Sequence, residues 1–147
     1  MQKLNAAQAL RNAIEAEKAA ERFYRLLAES TEDPEARIFL FAMADSENAH
    51  ANSIETSART IFHGPLPQSA DFDVSVVESL PDWRFADNTT LAQAVQIAKG
   101  AEVQASLYYD ALADCFEGPM KDFFTDLALT EENHAKQLDK MFPLARA

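Results

Sequence analysis

Asp45-Ser46-Glu47-Asn48-Ala49-His50 lies midway along a segment of helical period and carries two donor side chains three residues apart. On a helix, Glu47 and His50 stand about 60° from each other around the axis, so both reach a common point. The same pair recurs as Glu131 and His134 within Thr130-Glu131-Glu132-Asn133-His134. Two Glu-x-x-His pairs, each joined by one further carboxylate from a neighbouring helix, form the ligand set of a dinuclear carboxylate-bridged metal site in a four-helix bundle. One such pair alone is weak evidence, since a solvated salt bridge is its ordinary explanation. Glu is 13 of 147 residues, however, and it stands three places before two of only three histidines.

Composition narrows the classes. A chain of 147 residues with 48% hydrophobic and 25% charged residues is expected to fold as one domain, 1–147, with a real core. The formal charge of −11 disfavours nucleic acid and anionic membrane surfaces as partners. One cysteine, Cys115, excludes an intrachain disulfide or a Cys-rich metal module within these residues. No apolar run approaches a membrane span and the start carries no apolar leader, so a cytoplasmic protein is expected.

Residues from about 5 to 29 read as a first helix, free of Gly and Pro. Glu17 shares its face with Ala6, Leu10, Tyr24 and Ala28, because seven residues nearly close two turns. A carboxylate there is costly unless partnered. Glu21, some 40° away, is its main rival for an inward role. Ser30-Thr31-Glu32-Asp33-Pro34 predicts a turn, with Asp33 capping a second, antiparallel helix that runs to about Phe62 before Gly64-Pro65. Its core stripe is Ala36, Leu40, Met43, Ile54, Ala58 and Ile61, with Glu47 on the same stripe. Glu17 and Glu47 lie equally far from Glu32, so they should face each other across the hairpin.

Residues 63–88 show no helical period; Val74 to Leu80 suit a short apolar turn or strand, and Trp83 and Phe85 suit packing on the bundle. A second helix of this length spans about 45 Å, and 26 extended residues reach roughly 85 Å. The link can therefore return along the bundle and leave the third helix parallel to the second. A third helix from after Asn88-Thr89-Thr90 to about Phe116 carries Glu102 on the face of Leu91, Val95, Ala98, Tyr109 and Ala113. Glu117-Gly118-Pro119 turns into a fourth helix, to about Met141, with Glu131 on its apolar face. The expected fold is all-α: an antiparallel four-helix bundle with one long crossover between helices 2 and 3, the ferritin-like topology.

The two hairpins, about 5–62 and 89–142, repeat. Glu17 and Glu102, Tyr24 and Tyr109, and Pro34 and Pro119 are each offset by 85 residues; Glu47 and Glu131, and His50 and His134, by 84. One deletion between Pro119 and Glu131 accounts for the difference. A hairpin that cannot bury a polar-centred face alone is closed by its own copy.

Charge then sets the metal count. Glu17, Glu47, Glu102 and Glu131 in one apolar interior repel, and each desolvated ion costs several kcal/mol. Two divalent cations cancel that charge, whereas one leaves half of it. Carboxylates with one imidazole per metal suit iron or manganese, and zinc can also bind; two divalent ions, iron in the first place, are expected. Tyr24 and Tyr109 read as core residues whose hydroxyls can hold a ligand carboxylate. His63 reads as a loop residue, and Cys115 as a packed or partly exposed thiol.

With these residues in place, the chain resembles a rubrerythrin-like member of the ferritin-like superfamily. Glu17-Lys18-Ala19-Ala20-Glu21-Arg22-Phe23-Tyr24, Glu47-x-x-His50, Glu102 to Tyr109 and Glu131-x-x-His134 match that pattern in order and spacing. The resemblance implies that Glu47 and Glu131 bridge the metals, that Glu17 and Glu102 are terminal, and that His50 and His134 take one metal each. It also implies reduction of peroxide or dioxygen. Rubrerythrins proper carry a rubredoxin module with paired Cys-x-x-Cys motifs, absent from these residues, so a separate donor, rubredoxin-like or other, is expected to supply electrons. They also carry a further carboxylate one turn after the third-helix Glu, where this chain has Ala105. Ferroxidase or iron-storage activity, and a non-enzymatic module with a structural metal, are the competing readings. A homodimer is the expected assembly, and the long crossover permits exchange of hairpins.

Overall fold

A computed structural model describes residues 6–62, 66–68 and 89–143. Four helices account for nearly all of these: α1 (Ala6–Ser30), α2 (Pro34–Phe62), α3 (Leu91–Ala113) and α4 (Pro119–Met141). No strand occurs among the described residues.

The chain ends its helices with local chemistry. At the close of α1, the hydroxyls of Ser30 and Thr31 donate to the Leu27 carbonyl at 3.1 and 2.6 Å. The Asp33 carboxylate accepts from the Ala36 amide at 2.9 Å, and Pro34 opens α2. Thr90 caps α3 reciprocally: its hydroxyl accepts from the Gln93 amide at 3.1 Å, and its own amide donates to Gln93 Oε1 at 3.0 Å. α3 stops at Ala113, three residues short of the predicted end at Phe116. Amides of Cys115 and Phe116 bond three residues back, to Leu112 and Ala113, which tightens the chain out of the helix. The Phe116 ring then stacks on Phe124 with centroids 5.7 Å apart. Gly118 follows at φ +70°, a left-handed conformation that suits glycine, and Pro119 opens α4.

Contacts between hairpins establish the topology. Tyr24 meets Glu102 while Tyr109 meets Glu17, so α1 and α3 are antiparallel. Glu47 meets His134 while His50 meets Glu131, so α2 and α4 are antiparallel too. With α1 and α2 joined by a tight turn, α2 and α3 are therefore parallel, as a long crossover requires. At the start of the link, Leu66 is buried and the Pro67 carbonyl accepts from Arg11 Nε at 2.6 Å. The rest of the expected crossover, with His63, Val74 to Leu80, Trp83 and Phe85, lies outside the described residues, as do the side chains of Ala6 and Ile61.

The core comes in two apolar blocks. One gathers Leu10, Ile14, Ile54, Tyr108, Leu112 and Phe124; the other gathers Phe23, Leu27, Leu40, Met43 and Leu138. Each fully buried leucine contributes about 1.5–3 kcal/mol, so these blocks carry the metal-free fold. In sequence and in space they flank Glu17, Glu47, Glu102 and Glu131, leaving a polar layer between two plugs. No described helix is long and apolar enough to cross a membrane.

Candidate metal centre

All six side chains singled out from the sequence enter that polar layer. Glu17, Glu47, Glu102 and Glu131 are at most 3% exposed, and His134 is buried. Glu21, the rival to Glu17, instead pairs with Arg25 at 2.9 Å toward the surface. Cys115 is exposed and belongs to neither donor group. Ala105 is buried in the apolar block beside Tyr109.

The donors form two overlapping groups. One oxygen or nitrogen from each of Glu17, Glu47, His50 and Glu131 lies within 4.8 Å of the others, and the same holds for Glu47, Glu102, Glu131 and His134. Glu47 and Glu131 belong to both groups. The imidazoles lie nearly parallel, 13° between planes and 5.7 Å between centroids, and each turns Nδ1 inward.

These inward atoms approach one another closely. His50 Nδ1 is 2.8 Å from Glu131 Oε1, and His134 Nδ1 is 2.8 Å from Glu47 Oε1. Both are ion-pair contacts when the imidazoles are protonated, but their direction is poor for a ring N–H hydrogen bond. Seven buried atoms make no well-directed hydrogen bond and face only one another: Glu17 Oε2, Glu47 Oε1, His50 Nδ1, Glu102 Oε2, both oxygens of Glu131 and His134 Nδ1. Such a concentration of orphaned donors and acceptors is rare in a folded interior. It is the pattern expected of lone pairs aimed at cations, so the donor set fits two metal ions.

The outer oxygens of Glu17 and Glu102 are held from the opposite half. Tyr109 donates to Glu17 Oε1 at 2.5 Å and Tyr24 donates to Glu102 Oε1 at 2.7 Å. Each tyrosine thus fixes one oxygen and leaves Oε2 facing the centre. Burial, then the charges of Glu102 and Glu17, push both phenols well above their ordinary range, so they remain neutral donors. The crossing between halves is not legible from the sequence, which shows only that each tyrosine lies two turns along from its own half's glutamate.

Without metal the layer balances its charge with protons. Burial, followed by the charges of Glu47 and Glu131, raises the Glu17 and Glu102 carboxyls well above the usual range. Burial opposes ionisation of Glu47 and Glu131 as well, but their contacts with neighbouring carboxyls and both histidines hold them low. Burial also opposes charge on the imidazoles, yet the surrounding carboxylates prevail: His50 is raised far above its ordinary value and His134 to about 12. Two carboxylates and two imidazoliums then sum to zero. Two divalent ions would replace four protons, one each from Glu17, Glu102, His50 and His134. All four groups have raised values, so the contribution of the two carboxyls to the metal-free fold weakens as pH rises above about 4.5 and that of the two imidazoles above about 6.5, while metal binding strengthens. Loading two divalent ions between roughly pH 5 and 8 is expected to release up to four protons. Calorimetry in buffers of different ionisation heat measures that count; release of none would show that the layer is not protonated in this way.

Architecture and donors together define a ferritin-like di-metal helical bundle. The chain belongs to the rubrerythrin family, whose model matches residues 8–142. Among solved structures it is similar to a hypothetical protein from Pyrococcus furiosus, with a TM-score of 0.77 and 22% identity over 96% of this chain and 90% of that one. It is also similar to KatB, a manganese catalase from Anabaena PCC7120, with a TM-score of 0.69 and 15% identity over 97% of this chain and 74% of that one. No curated protein matches it in sequence.

Proposed function

We propose that this protein is a dinuclear-metal oxidoreductase, with iron as its preferred metal, that reduces peroxide or dioxygen with electrons from a separate donor. One observation carries the reading: Glu47 and Glu131 are shared between two buried groups of donors, each with its own imidazole. Glu17, Glu47, His50 and Glu131 would hold one ion, and Glu47, Glu102, Glu131 and His134 the other. When bound, a ferrous pair supplies two electrons, enough with two protons to convert peroxide into two waters before an external reductant restores the pair. Tyr24 and Tyr109 keep the terminal carboxylates in place, and the flanking apolar blocks limit entry of bulk water. A cytoplasmic setting and a homodimeric assembly belong to the same proposal.

The likeness to a manganese catalase favours a second reading, in which a manganese pair disproportionates peroxide into dioxygen and water and needs no donor. Metal analysis, anaerobic titration with ferrous ion, and rapid mixing with peroxide and with oxygen in turn test the first. Oxidation of the bound pair much faster than of free ferrous ion is expected with at least one oxidant; no acceleration with either overturns it. Dioxygen release from peroxide by manganese-loaded protein without reductant supports the second. Several ferrous ions oxidised per chain with retention of mineral would instead indicate iron storage.

A further inference from the structure

The two halves match donor for donor and tyrosine for tyrosine, but the match breaks behind the histidines. Ser46 Oγ on α2 lies 3.2 Å from Nε2 of His134 on α4. The residue at the equivalent place in the second half, by the same offset of 84 that relates Glu47 to Glu131, is Thr130. Its hydroxyl donates to the Asp126 carbonyl at 2.9 Å, within its own helix. No described residue bonds the outer nitrogen of His50, whose side chain is 14% exposed against 7% for His134.

We propose that Ser46 makes the two metal positions unequal: the position of Glu102 and His134 fills first and binds more tightly, and that of Glu17 and His50 is the exchangeable one. The inference rests on the dinuclear reading above. An imidazole that binds metal through Nδ1 carries its proton on Nε2. Ser46 accepts that proton's hydrogen bond, which fixes the ring angle and strengthens Nδ1 as a donor. Because the serine stands on a different helix, the ring is oriented before a metal arrives. His50 finds no such partner among the described residues, so its ring is held less firmly. Losing a partner behind a metal-bound histidine typically lowers affinity by about 10–100-fold, so a difference of about tenfold is expected between the positions.

Binding of cobalt(II) to metal-free protein, read by absorption and calorimetry, tests this in a double-mutant design. His50→Ala leaves only the Glu102 position complete, and His134→Ala only the Glu17 position. The remaining ion is expected to bind about tenfold more tightly in His50→Ala. Adding Ser46→Ala should weaken binding about tenfold in the His50→Ala background and leave the His134→Ala background unchanged. Alanine favours a helix, so the serine variant is expected to fold. Equal affinities in the two histidine variants, or an equal effect or no effect of Ser46→Ala in both backgrounds, overturns the proposal. Wild-type protein that takes up fewer than two cobalt ions would sink the dinuclear reading itself, and this inference with it.

Discussion

Glu47→Ala is expected to reduce bound metal from two ions per chain toward none, a loss that only Glu131, the other shared carboxylate, should match. Glu47 is 1% exposed and is common to both donor groups, so no metal position survives its removal intact. Glu102→Ala, by contrast, should cost one ion, since Glu102 belongs to one group. Glu21→Ala is the control: Glu21 pairs with Arg25 near the surface and should leave both ions in place. Removing Glu47 also deprives the metal-free layer of an ionised partner for His134, and breaking a buried ion pair costs about 3–5 kcal/mol. Glu47→Gln, which preserves volume, therefore accompanies it. Metal analysis after gel filtration reads the outcome, and two ions retained by folded variants would show that Glu47 is not shared.

Saturating metal is expected to raise the melting temperature by roughly 10–20 °C. A ligand at a hundred times its dissociation constant stabilises a fold by about 2.7 kcal/mol per site, and two sites double that figure. For a chain of this size, each kcal/mol shifts the midpoint by about 2–4 °C. The unfolded chain cannot assemble donors from four helices, so little binding to it offsets the gain. Scanning calorimetry with and without ferrous or manganous ion measures the shift. Coincident transitions would mean that the polar layer holds no metal at these concentrations.

Much of this was legible because helical period, turn chemistry and repetition agree. Glu17 and Glu47 were placed inward by the apolar residues that share their faces, and Asp33-Pro34 and Gly118-Pro119 marked helix starts that the structure reproduces. Helical period alone left Glu21 as a rival to Glu17, because 40° separates their faces; the structure pairs Glu21 with Arg25 instead. The early end of α3 was hidden because nothing local breaks the helix there; the Phe116 ring leaves for a tertiary contact with Phe124. Ser46 escaped notice for a similar reason. A serine beside a ligand looks like any helix-surface serine until the facing helix sets an imidazole nitrogen next to it.

The ownership of the donors has a mechanical corollary. Within each hairpin the helices are joined by a tight turn and extensive side-chain packing, but neither hairpin owns a complete set of ligands: each group draws on both. A metal ion bound here is thus a rivet driven through two leaves, and the tyrosines that cross between them are the pins that align the holes. Duplication of one such leaf would have created the socket and the means of fastening it in a single step.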